Sequence, residues 1–179
     1  MTRPKVFLDC ETSGLDPARH AIFEIAYAVD DGPILSSFVT HTRITLDAET
    51  IAAAQVNRYI DRCPPEYATL HGPSDDDGDD HPSAEFEDAL VDALRSATMV
   101  GANPAFDAAM LRARWCVTPW HHRLLDIEAY AAGAFGWTEL RGLAGVAEHL
   151  GVQAPDHTAA GDVACLRACW QAIQTELDA

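Results

Sequence analysis

The run from Lys5 to Cys10 is mostly apolar and leads into Thr12-Ser13-Gly14-Leu15-Asp16-Pro17, a cluster of turn-forming residues. That pattern predicts a buried strand ending in a tight loop. A second apolar run, Ala21 to Val29, is joined through Asp30-Asp31-Gly32-Pro33 to a third, Ile34 to Thr40. Three short strands separated by turns predict an antiparallel meander before any helix. The Ala-rich segment from Asp47 to Ile60 predicts a helix, and Cys63-Pro64-Pro65 prevents regular structure from continuing beyond it. Ser83, with Phe86, Leu90, Val91 and Leu94 behind it, gives an N-capped amphipathic helix, and Met99-Val100-Gly101 is a brief strand. Helix and strand then alternate. Phe106 to Trp115 is helical, Arg123 to Ile127 is a strand, Leu140 to Leu150 is a helix ended by Gly151, and Ala159 to Leu177 is a long closing helix. The order implies an α/β fold, a mixed central sheet flanked by helices. Sites in such sheets form at the carboxyl ends of strands, here just after Leu8, just after Gly101 and near the last helix.

A chain of 179 residues, 48% of them apolar, can bury a core as a single domain spanning residues 1–179. The formal charge of −16 changes the picture of its partners, because an acidic protein repels nucleic acid at long range. Much of that charge is local. Eight of the 28 acids lie from Asp75 to Asp88, a stretch without Lys or Arg, and the region from about 62 to 82, which holds five of them, reads as an acidic loop excursion. Its Asp75 to Asp80 core lacks the alternation and the final Glu of a calcium loop. The five cysteines, Cys10, Cys63, Cys116, Cys165 and Cys169, form no C-x-x-C pair and suggest a reduced, cytoplasmic setting. The N-terminus has no run of apolar residues long enough for a signal peptide or membrane span, so no membrane partner is expected.

The candidate chemistry is acidic. Asp9 and Glu11 are one residue apart at the end of a strand, so both project from one face of the sheet, where the repulsion between them favours a cation. Chance supplies about four acid-x-acid pairs in a chain with this many acids, so position gives this pair its weight. Asp107 falls in the first turn of the helix opened by Pro104, and Asp162 in the first turn of the closing helix. Helix capping and the helix dipole alone can account for acids there. His157, on a loop five residues before Asp162, is the histidine singled out by that spacing.

Three blocks, Phe7-Leu8-Asp9-Cys10-Glu11-Thr12-Ser13-Gly14-Leu15, Gly101-Ala102-Asn103-Pro104-Ala105-Phe106-Asp107 and His157-Thr158-Ala159-Ala160-Gly161-Asp162, occur in order. Together they resemble the DEDDh (DnaQ-like) family of 3′→5′ exonucleases, with Phe23-Glu24-Ile25-Ala26 and Arg123-Leu124-Leu125-Asp126 similar to two further strands of that family. The resemblance runs from Lys5 to about Trp170 and implies a ribonuclease H-like fold. It implies a hydrolase that holds two Mg²⁺ or Mn²⁺ ions on Asp9, Glu11, Asp107 and Asp162, uses His157 as general base, and releases nucleoside 5′-monophosphates from single-stranded DNA or RNA 3′ ends. Thr12 would contact the terminal 3′ hydroxyl through its backbone, Leu15 would pack against the last base, and Asn103 and Phe106 would shape the pocket. A polymerase partner or a homodimer is compatible with it.

Two other readings compete. One is a catalytically silent module that keeps this fold to bind a nucleic-acid end or a replication partner, against which the complete set of five residues counts. The other is a calcium-binding interaction protein built on Asp75 to Asp80. Arg112, Arg114, His121, His122 and Arg123 form the one positive neighbourhood available for gripping nucleic acid, and a solvated helix face explains them equally well.

Overall fold

In a computed structural model of the chain, which describes residues 3–38, 48–62 and 83–179, strand β1 (Lys5–Thr12) occupies the centre of a five-stranded sheet. β2 (Ile22–Val29) pairs with it antiparallel and β3 (Leu35–Phe38) extends that side, while β4 (Thr98–Gly101) and β5 (Leu125–Asp126) pair parallel on the other. The order is β3-β2-β1-β4-β5, the mixed sheet expected from the meander and the later alternation. Parallel β1, β4 and β5 finish at the same end, and that shared end carries Asp9, Glu11, the Asn103–Asp107 segment and Asp126.

Alternation along β1 divides the core. Val6, Leu8 and Cys10 face one layer, packed with Ile25 and Tyr27 of β2, with Leu90 and Leu94 of α3 (Ala84–Leu94), and with Met110 and Leu111 of α4 (Pro104–Trp115). Phe7 faces the other layer, formed by α5 (Ile127–Phe135), α6 (Gly142–Leu150) and α7 (Ala159–Leu177). Ala26 and Ala28 on that face of β2 are fully buried and small, so α7 lies close against the sheet. Asp9 and Glu11 share the parity of Phe7 and therefore point to the α7 side.

Several boundaries differ from the sequence reading. The helix expected over Asp47–Ile60 is two pieces, α1 (Ala48–Val56) and α2 (Tyr59–Arg62), because Arg58 adopts φ +55 and breaks the hydrogen-bond ladder. The strand expected over Arg123–Ile127 is only Leu125–Asp126. Asp126 then caps α5, its Oδ1 accepting from Glu128 N–H at 2.8 Å and Ala129 N–H at 3.3 Å. Helix α6 starts at Gly142 rather than Leu140, whereas α7 has the expected limits and the Ser83 cap on α3 is present. The last two residues expected in β3, the acidic excursion after Arg62, Asp75 to Asp80 and Cys63 lie outside the described residues. The other four cysteines are free thiols, and no described helix is long and apolar enough to cross a membrane.

Candidate metal centre

Asp9, Glu11 and Asp162 converge. One carboxylate oxygen from each lies within 4.8 Å of the others, a set able to hold a cation. β1 supplies the first two from one face, and α7, docked on that face, supplies the third from its first turn. Asp107 comes from the opposite layer and lies outside that mutually close trio. Its Oδ1 accepts the Cys10 N–H at 3.0 Å, so the carboxylate is pinned to the backbone between Asp9 and Glu11. The structure thus gathers four sequence-predicted acids at one end of β1, three as a tight cluster and one anchored beside it.

These acids disfavour one another's charge in a partly desolvated place. Burial, then Asp107, Glu11, Asp162 and Glu24, push Asp9 well above the usual carboxylate range. Burial, then Asp162 and Glu24, raise Glu11 to about 8, with Arg62 opposing. Burial raises Asp107 against the pull of its own N–H and that of Cys10, and burial raises Asp162 against the N–H groups of His157 and Asp156. Oxygen ligands, clustered negative charge and desolvation together suit a hard divalent cation such as Mg²⁺ or Mn²⁺.

The cluster also sets a pH dependence of stability. Between Glu11's ordinary value of 4.5 and its folded value of about 8, the native state binds more protons than the unfolded chain, so metal-free stability falls as pH rises through that interval. Melting temperatures in EDTA are expected to fall across it, and saturating Mn²⁺ to remove most of the slope. A metal-free melting temperature that climbs from about pH 5 to about pH 8 would contradict the buried acidic cluster.

The third sequence block folds into a compact turn. Asp162 Oδ1 accepts from the backbone N–H groups of Asp156 and His157, both at 3.1 Å, so its other oxygen is the one available to a ligand. Asp156 Oδ1 accepts from Thr158 N–H at 3.0 Å and from its hydroxyl at 2.7 Å, while the Thr158 hydroxyl caps α7 by accepting from Gly161 N–H at 3.0 Å. Gly161 is required here, because a Cβ would stand 2.0 Å from Asp156 Oδ1. His157 has φ +60 and an exposed side chain.

The loop after β1 is also tightly built. Thr12 and Ser13 are buried. Thr12 Oγ1 donates to Gly14 O at 2.8 Å, Ser13 N–H donates to Ala21 O at 2.9 Å, and Ser13 Oγ accepts from Ala21 N–H at 3.0 Å. The His20 ring lies on the Cα of Gly14, where a Cβ would meet it at 2.5 Å, and its Nδ1 accepts from Asp16 N–H at 3.0 Å. This fixed loop presents Leu15 at 71% exposure. Asn103 precedes α4 at φ 54 without capping the helix through its side chain, and Phe106 is partly buried against the α3 layer. Arg114, from the expected positive neighbourhood, donates to Glu87 Oε1 at 2.5 Å.

Two residues beside the site carried no role in the sequence reading. Glu24, 4% exposed, stands opposite Glu11 in the β1–β2 register. Asn57, 3% exposed, donates from Nδ2 to Thr12 O at 3.0 Å and accepts from Tyr59 N–H at 3.2 Å, tying the α1–α2 break to the end of β1. A buried charge inside the apolar run Ile22–Val29 was the available signal for Glu24. For Asn57 the sequence offers none.

Known proteins share this fold. The model of an exonuclease family, RNase T, matches residues 6–167. No curated protein sequence matches the chain. Among solved structures, E. coli Exonuclease I in complex with a dT13 oligonucleotide superposes with a TM-score of 0.64 at 16% identity, over 99% of this chain and 42% of that one. The Methylocaldum szegediense Exonuclease I gives 0.63 at 17% identity, over 99% and 41%. A further Exonuclease I structure gives 0.67 at 16%, over 97% and 41%. The chain therefore spans about two fifths of the length of these neighbours and shares their fold.

Proposed function

The chain belongs to the RNase T exonuclease family, and from that premise we propose that it removes nucleotides stepwise from the 3′ end of single-stranded DNA, releasing nucleoside 5′-monophosphates. The convergence of Asp9, Glu11 and Asp162 within 4.8 Å is the observation that carries the reading, since a phosphodiester cut by water needs concentrated cationic charge at the phosphate. DNA is the first substrate because structural neighbours from E. coli were solved with dT13 and dA16 oligonucleotides.

Asp9, Glu11 and Asp162 are the ligands proposed for the cations, with Asp107 contributing the oxygen that Cys10 leaves free. Two Mg²⁺ or Mn²⁺ ions, when bound there, would supply a water of lowered pKa and charge stabilisation at the departing 3′ oxygen. His157 takes the proton from the attacking water; its side chain is exposed, and its backbone N–H donates to Asp162 Oδ1. Leu15, on its clamped loop, is proposed to pack on the terminal base, the Thr12 backbone to meet the 3′ hydroxyl, and Asn103 and Phe106 to shape the pocket. The Thr12 carbonyl is already oriented by Asn57. Grip on longer strands is assigned to a tethering partner, a polymerase or a second copy, because the chain carries a formal charge of −16 and Arg114 is engaged by Glu87.

The test is a 5′-labelled single-stranded DNA oligonucleotide with Mg²⁺, beside a matched RNA and a duplex. A descending ladder that EDTA abolishes is expected on the single-stranded DNA. Substrate left intact in both Mg²⁺ and Mn²⁺ would return the silent-module reading, and internal cuts without a ladder would exclude action from the end.

A further inference from the structure

Glu24 is a buried carboxylate for which the proposed reaction has no use. Both of its oxygens are committed. Oε1 is paired with the Arg62 guanidinium, and Oε2 accepts the N–H of Ala159 at 2.9 Å. Ala159 is the first residue of α7, and Asp162 lies in the same turn. The bond therefore fastens the first turn of α7 to β2 directly opposite Glu11. Its N–H is one of those that a helix start leaves without an intrahelical partner, and a charged acceptor gives it a stronger bond than water or a neutral group would.

Arg62 completes the arrangement. It ends α2, its side chain is 21% exposed, and its guanidinium carbon lies 4.6 Å from the centre of the Phe38 ring. Stacking and pairing hold the guanidinium in one orientation, and its charge opposes the burial that drives neighbouring Glu11 upward.

We propose that Glu24 and Arg62 are positioning residues, Arg62 holding the Glu24 carboxylate in its orientation, and Glu24 holding the first turn of α7 so that Asp162 meets Asp9 and Glu11 with the spacing a divalent cation requires. The inference rests on the metal-site reading above. It differs from simple electrostatics in sign. A cation near the cluster repels Mn²⁺, so on charge alone loss of Arg62 tightens metal binding. Loss of a positioning residue weakens it.

Mn²⁺ binding to the full chain, titrated calorimetrically and by melting temperature, separates the two. Arg62→Gln is expected to weaken Mn²⁺ by about tenfold or more, the scale of losses from ligand-supporting contacts, and Arg62→Lys by markedly less. A double variant, Glu24→Leu with Arg62→Met, leaves the net charge of the pocket unchanged and suits a buried environment, so it covers the case in which Arg62→Gln does not fold. It too is expected to bind Mn²⁺ about tenfold more weakly. Undiminished or tighter Mn²⁺ binding by folded Arg62→Gln, or wild-type affinity in the double variant, overturns the proposal. A wild-type chain whose melting temperature ignores Mn²⁺ sinks the metal-site reading itself, and this inference with it.

Discussion

Asp9→Asn is expected to lower nucleotide release by roughly 10³-fold or more while raising the melting temperature of the metal-free protein. Both effects come from one position. Asp9 is a half-buried member of the acidic group, its pKa raised by desolvation and then by Asp107, Glu11, Asp162 and Glu24. Asparagine keeps the shape and removes the charge. The metal-free fold then loses repulsion that it otherwise bears near neutral pH, and the metal-loaded site loses one of its ligands. Removing a surface arginine or lysine could also reduce activity, but it would not stabilise the metal-free chain. Ladder assays with Mg²⁺, together with melting curves in EDTA and in Mn²⁺, provide the check. Activity within about tenfold of wild type would remove Asp9 from the site, because loss of even one preorganised charge-stabilising group costs more than that.

The same packing separates what is legible in the chain from what is not. Strand alternation places Asp9 and Glu11 with Phe7, and the structure puts that face against α7, so the pairing of these acids was legible from residues 5 to 11 alone. The limits of α7 were also legible, because Thr158 caps it and the apolar spacing runs without interruption to Leu177. Its arrival beside β1 was not a local property, and only the ordered blocks implied it. The break between α1 and α2 escaped because neither Asn57 nor Arg58 is a habitual helix breaker. The left-handed turn there is stabilised by a tertiary bond from Asn57 Nδ2 to Thr12 O and by a local one that Asn57 Oδ1 accepts from Tyr59 N–H. Helix α5 escaped although its cap was present, since Asp126 reads equally well as the end of a strand. Glu24 lay within a recognised strand, but its work depends on Arg62, 38 residues away, and Ala159, 135 away. Contacts of that range leave no periodic trace.

A substitution at His157 is expected to separate proton transfer from metal binding. The choice of replacement is dictated by the backbone, since His157 sits at φ +60, where alanine is strained and asparagine is tolerated. His157→Asn preserves that turn and, with it, the N–H that holds Asp162 Oδ1 at 3.1 Å. Asp156 on Gly161 and the Thr158 cap continue to fix the segment, so the ligand trio is undisturbed. Mn²⁺ affinity and KM are then expected to remain near wild type, while kcat falls by roughly 10²- to 10⁴-fold, the contribution of a positioned general base. Asp9→Asn lowers the metal response and the rate together, whereas His157→Asn lowers the rate alone. If His157→Asn instead weakens Mn²⁺ as much as it slows turnover, the histidine supports Asp162 rather than accepting a proton, and the water must be deprotonated by another group.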